Sequence, residues 1–77
     1  MNGELTITQQ DPYDGLWLLG MPANRNRIYT VYHSDDDGVT WTLNVPVIRA
    51  TANYLMWLDT DEGAPVNRIY RVVDTGM

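Results

Sequence analysis

Cysteine, lysine and phenylalanine are absent from this chain of 77 residues, and histidine occurs once. Without cysteine there is neither a disulfide framework nor a thiolate metal site, so packing or a partner must supply the stability. No apolar run approaches the roughly 20 residues of a membrane span, which argues against membrane insertion. Met1-Asn2-Gly3-Glu4 is not a basic segment leading into an apolar one, so no signal peptide is expected. Proline or glycine interrupts nearly every stretch that could hold a 3.6-residue period, and no helix is expected. Positive charge is also scarce. Ten acidic residues face five basic ones, all arginine, and the net charge of −5 argues against nucleic-acid binding, which needs cations to neutralise phosphates.

What remains is rich in strand formers. Three Trp and five Tyr bring large apolar area with polar tips that want hydrogen bonds. Asn-Arg-Ile-Tyr-x-Val occurs twice, at residues 26–31 and 67–72, and the copies differ at Thr30 and Arg71. Both read as strands with Tyr and Val inward, the variable position facing out. Alternation predicts strands over 4–9, 39–45 and 54–59, with shorter ones at 16–19 and 47–51 and the repeats extending over 27–33 and 68–74. Turns are expected at Asp11-Pro12-Tyr13-Asp14-Gly15, around Gly20, Pro22 and Asn24, and through Asp35, Asp36, Asp37 and Gly38. Pro46 should break a strand or sit at a sheet edge. The strand at 54–59 is apolar on both faces, which is the pattern of a central strand. Six or seven short antiparallel strands, with connections too short for crossover helices, make residues 1–77 one small all-β sandwich or barrel domain. Its core is small, because a chain of this size buries only somewhat more than about 60% of its unfolded surface.

Ser34-Asp35-Asp36-Asp37-Gly38-Val39-Thr40-Trp41 resembles an Asp-box, the Ser-x-Asp-x-Gly-x-Thr-Trp hairpin of sialidase-type propellers and other secreted β proteins. One propeller blade needs about 40 residues, so length excludes a propeller. The motif has a structural rationale of its own. Asp36 can cap turn amides, Gly38 can take a conformation closed to side chains, and Trp41 can pack beneath, with Ser34 and Thr40 completing the hairpin.

A wider pattern runs through Tyr29-Thr30-Val31, Asp37-Gly38-Val39-Thr40-Trp41, Trp57-Leu58-Asp59-Thr60 and Ile69-Tyr70-Arg71-Val72. It resembles the fibronectin type III-like, immunoglobulin-like modules of bacteria and their phages. That resemblance implies a β-sandwich and places Tyr70 at a tyrosine corner, its hydroxyl bonded to upstream backbone. It departs from a full module in one respect: after the strand of Tyr70 only Thr75-Gly76-Met77 remain. The last strand is then left at an edge, or its neighbour comes from the N-terminal segment or from another chain.

No catalytic constellation emerges. Ser34 beside His33 is adjacency rather than a triad, and no spacing among Asp36, Asp59 and Asp61 fixes a carboxylate pair. His33 with Asp35, Asp36 and Asp37 could suit a hard cation, but like charges at a hairpin tip are usually solvated, and neither metal nor cofactor is expected. Arg and aromatic residues do favour interfaces. Trp17, Arg27, Arg68, Ile69, Arg71 and Val73 are the candidate contact residues, on the reasoning that so small a core cannot hide every aromatic side chain. The expectation is a non-enzymatic module that assembles with itself or with a larger structural protein, such as a phage head decoration or tail accessory protein in the virion. The alternative is a carbohydrate-binding module that stacks glycans on Trp17, Tyr13 or Tyr32.

Overall fold

The computed structural model describes residues 4–76; Met1, Asn2 and Gly3, which belong to the expected absence of a signal sequence, and Met77 lie outside the described residues. Six strands form: β1 (Gln9–Tyr13), β2 (Leu16–Pro22), β3 (Ile28–Ser34), β4 (Thr42–Arg49), β5 (Tyr54–Asp59) and β6 (Ile69–Gly76). They make two antiparallel three-stranded sheets, ordered β1-β2-β5 and β4-β3-β6, a small all-β sandwich.

The inward residues come from alternate positions, as a pleated strand requires. Leu19 and Met21 of β2 and Leu55 of β5 meet Tyr29 and Val31 of β3 and Tyr70 and Val72 of β6, with Trp17, Trp57, Val45 and Ile48 packed around them. The two repeat copies are neighbours in one sheet, and Val31 lies opposite Val72. Their shared rule is visible in burial: both tyrosines and both valines are core residues. The arginines follow a rule too. Arg27 grips Asp74 through Nε and Nη2 at 3.0 and 2.9 Å, and Arg68 grips Asp35 through the same two atoms at 2.8 and 2.9 Å. Each copy thus clamps a carboxylate from the other copy's strand, Asp74 within β6 or Asp35 just past β3, a planar fork matched to a planar acid.

Several elements depart from the sequence expectation. The first turn shrinks to Asp14-Gly15, both with positive φ (53° and 81°), which is the two-residue hairpin geometry that matches strand twist. Pro12 accordingly sits inside β1, an edge strand where its missing N–H costs no ladder bond if it faces out. Pro46 does not break β4 but lies mid-strand at a sheet edge, the second of the two places expected for it, beside register shifts in the β3 pairing. β5 is not central, since β2 is its one neighbour.

The segment expected as a strand at 4–9 is largely irregular, yet its alternation holds, with Leu5 and Ile7 packed against the core. Its backbone spans the sandwich. Leu5 N–H donates to the Val72 carbonyl at 2.8 Å and Glu4 bridges Val73, whereas Thr8 N–H donates to the Gly20 carbonyl at 3.0 Å. The outer edge of β6 is therefore met by the chain's own N-terminal segment.

Tyr29 is 0% exposed, and its hydroxyl accepts the Asn24 N–H at 2.8 Å. Replacing Tyr29 by Phe should cost about 1–3 kcal/mol, because that amide loses its partner. Tyr29→Ala should cost about 3–5 kcal/mol, as for other large aromatic truncations. Urea denaturation of the two variants measures the difference.

Candidate functional site

Three surfaces deserve comparison as sites: the acidic cluster around Arg68, the outer face of the β4-β3-β6 sheet, and the outer face of the β1-β2-β5 sheet.

The acidic cluster is built from both sheets. Arg68, expected at a contact surface, is 5% exposed. Besides Asp35, its Nη1 donates to Asp59 Oδ2 and Asp61 Oδ2, each at 3.0 Å. A guanidinium can be held here because three carboxylates surround it, and a buried cation without them would be prohibitive. The Tyr70 hydroxyl donates to Asp59 Oδ2 at 2.5 Å, not to upstream backbone as the tyrosine-corner expectation had it. The bond runs across the sandwich, from β6 to the end of β5. Burial first and then this bond to Asp59 hold the Tyr70 phenol protonated well above its ordinary range. Hydrogen bonding to Asp35 foremost strengthens the protonated state of Arg68. The Arg68 bond lowers the Asp35 carboxyl, and Asp61 is lowered by the Gly63 amide and then by Arg68. Asp59 and Asp61 do come together, but on Arg68, so the guanidinium occupies the acceptors a general acid-base pair would use. Among the described residues, no group of histidine and carboxylates is arranged to hold a metal ion.

The hairpin at 34–41 is equally self-satisfied. Ser34 is buried; its hydroxyl donates to Asp36 Oδ1 at 2.7 Å and accepts the Gly38 amide at 2.9 Å. Asp36 Oδ1 also accepts the Thr40 amide at 2.8 Å, and Gly38 has φ +88°. Bonds from Ser34 first, then Thr40, hold the Asp36 carboxyl at about 2. Asp37 takes a positive φ of 64° as well, a conformation that aspartate tolerates better than most residues. His33 turns its Nδ1 to Asn44 Oδ1. Ser34 is thus spent on the turn and is not poised as a nucleophile.

On the outer face of β4-β3-β6, Arg71 lies over Trp41, its guanidinium carbon 4.4 Å from the ring centroid. Tyr32, Val73 and Thr75 complete a shallow groove of about 380 Å³ around them. Arg71 and Val73, both expected contact residues, are brought together here. Arg71 also approaches Glu4 of the N-terminal segment at 3.5 Å. Ile69 points outward from the same strand and is 38% exposed. Arg27 is engaged with Asp74, and Trp17 packs half-buried against the core, so neither joins this surface.

The outer face of β1-β2-β5 was not assembled from sequence. Register places Leu18 beside Leu58, Gly20 beside Met56 and Pro22 beside Tyr54, all on the side opposite Leu19, Met21 and Leu55. Tyr54 and Met56 are 43% and 52% exposed. A side chain at Gly20 would come within 2.5 Å of the Tyr54 hydroxyl, so the glycine gives that ring room to lie across the sheet. Polar Gln9 and Asp11 of β1 flank the face on one side, with Tyr13 at the turn end of that strand, and the face is apolar throughout only along β2 and β5. The signal that could have found it was the double apolarity of 54–59.

No known protein family, curated protein or solved structure matches the chain.

Two outcomes follow from the cluster. Arg68→Met should lower stability by about 3–5 kcal/mol because it strands the buried Asp59, and adding Asp59→Asn should recover part of the loss; urea denaturation checks both. Asp35, Asp36 and Asp61 are held below the ordinary value of 3.8, so they stabilise the fold above that value, and the contribution is lost as pH falls below it, for Asp36 toward about 2. The urea midpoint should fall steeply over that window, and less steeply in Asp36→Asn.

Proposed function

We propose that this protein is a non-enzymatic interaction module of fibronectin type III-like, immunoglobulin-like build, which acts by assembling with itself or with a larger structural protein. The observation that carries this reading is the outer face of the β1-β2-β5 sheet, where Leu18, Leu58, Met56 and Tyr54 form a contiguous apolar surface on a chain with a very small core.

Strand order supports the fold-level part. Immunoglobulin-like sandwiches keep their first, second and fifth strands, A, B and E, in one sheet and C and F in the other, with C′ beside C where present. Here β1-β2-β5 and β4-β3-β6 follow that order as A-B-E and C′-C-F. Among the described residues no strand G flanks F, and Glu4 and Leu5 bond to that side of β6. A phage virion, with the chain as a head decoration or tail accessory protein, is the setting we infer from this likeness, which is an analogy of fold.

The glycan-binding alternative finds less support. Its three rings lie on three surfaces: Trp17 inward, Tyr13 on the outer face of one sheet and Tyr32 on the outer face of the other. One ring face of Trp41, which lines the same groove as Tyr32, is taken by Arg71.

Sedimentation velocity and a glycan array on the purified chain test the reading. Species heavier than 8.8 kDa, with no sugar bound, are expected. A monomer that binds sugar overturns it in favour of the glycan-binding alternative.

A further inference from the structure

A sandwich of two open sheets has four edges, and each offers unpaired backbone groups to another chain unless something blunts it. Three edges here carry such a device. β1 has Pro12 and is short. β4 has Pro46, register shifts and a terminal Arg49. β6 is met by Glu4 and Leu5. The fourth edge, β5, reads Tyr-Leu-Met-Trp-Leu-Asp, with no proline and no bulge. Its one charge, Asp59, is turned inward onto Arg68 and Tyr70.

The backbone of β5 has a definite polarity. Ala23 N–H donates to the Asn53 carbonyl, and the Gly20 carbonyl accepts from Thr8 on the β1 side. Because bonding direction alternates along an antiparallel strand, Leu55, Trp57 and Asp59 turn their N–H and C=O groups to β2. Tyr54, Met56 and Leu58 then turn theirs to the open edge. Pro22 opposite Tyr54 agrees with this phase, since proline has no N–H to exchange there. The three open residues are also the ones whose side chains make the apolar outer face.

We propose that β5 pairs antiparallel with β5 of a second copy of this chain, about a two-fold axis at Met56, joining two three-stranded sheets into one of six strands. This rests on the interaction-module reading and names its partner and surface. The register follows from the open groups. With Met56 opposite Met56 of the second copy, Tyr54 falls opposite Leu58, and each of these pairs can exchange both backbone bonds. On the inner face Leu55 falls opposite Trp57. No charge meets a like charge, because Asp59 falls opposite Asn53. A shift by one pair toward the C-terminal end would set Asp59 against Leu55 and leave Tyr54 without a strand partner. The pairing also brings the two apolar outer faces side by side, since in each copy the polar Gln9 and Asp11 lie on the far side of the sheet.

The chain's lack of cysteine makes the test direct. Met56→Cys should form a disulfide-linked dimer on mild oxidation, since directly opposed hydrogen-bonded residues lie about 5.5 Å apart at Cα, within disulfide range. Cysteine at the exposed Val66 should not cross-link comparably. Wild type should sediment at twice 8.8 kDa. Met56→Lys, which opposes two cations at the axis, should sediment as a monomer with unchanged circular dichroism. Met56→Pro should do the same, because its N–H serves the open edge and not the β2 ladder. A wild-type monomer at all concentrations overturns the edge pairing while leaving a module that binds a different protein. A dimer that persists in folded Met56→Lys overturns the pairing but keeps self-assembly, through another face.

Discussion

Arg68 is the group on which the two sheets close. It immediately precedes β6, yet its guanidinium reaches Asp59 at the end of β5 in the facing sheet and Asp35 in the hairpin that follows β3. Tyr70, two residues on, adds its hydroxyl to the same Asp59. A core of few large residues cannot by itself fix the angle between two small sheets, because apolar contact is non-directional. Directional bonds at one end of the sandwich can. A buried ion network of this kind is weak evidence for stability and better evidence for a unique arrangement, since each member is costly to leave unpaired. Arg68 and Asp59 are removed from the surface by this network, and Arg27, Asp35, Asp61 and Asp74 are committed to intramolecular ion pairs, although composition alone would assign all of them to solvent or to a partner.

This bears on what could be read beforehand. The all-β class, the antiparallel order, the inward Tyr and Val of both repeats and the Ser34 to Trp41 turn were legible, because each depends on local alternation or on turn chemistry within a few residues. The fate of the arginines was not. Arg27 and Arg68 occupy equivalent places in identical hexapeptide frames, yet one lies at the surface and the other is buried, and the difference lies in Asp59 and Asp61, which only the fold brings near Arg68. Tyr70 was correctly placed on an inward face, but its partner proved to be a carboxylate from the opposite sheet, a contact between strands that no periodicity encodes. Trp17 looked surplus to so small a core and instead packs against it.

The N-terminal segment shows a different limit. Its alternation was read as a strand, and the side chains do alternate, but the backbone divides its bonds between the two sheets and so forms no ladder with either. Leu5 and Ile7 cover the core where a further strand would otherwise do so. In the immunoglobulin-like reading Glu4 and Leu5 lie on the side of β6 that strand G would flank. The outward positions of β6 become partly covered as a result, with Val73 9% exposed although it points away from the core.

The most informative mismatch is β5. Apolar side chains on both faces predict a strand with neighbours on both sides, and the inference is sound physics, because an exposed edge of that composition is a liability that proteins usually blunt. The isolated chain gives β5 one neighbour. Two explanations compete: the composition is incidental, or the strand is central in a larger sheet that one chain does not contain. Incidental composition does not account for the other three edges, where proline, a register shift or the N-terminal segment provides the protection that β5 lacks. It also leaves unexplained why the outer face mixes polar Gln9 and Asp11 with Tyr13 along β1 but is apolar throughout along β2 and β5, up to the one open edge. A second copy at that edge resolves both, and the sequence pattern of β5 then describes its place in the assembled sheet, not in the single chain.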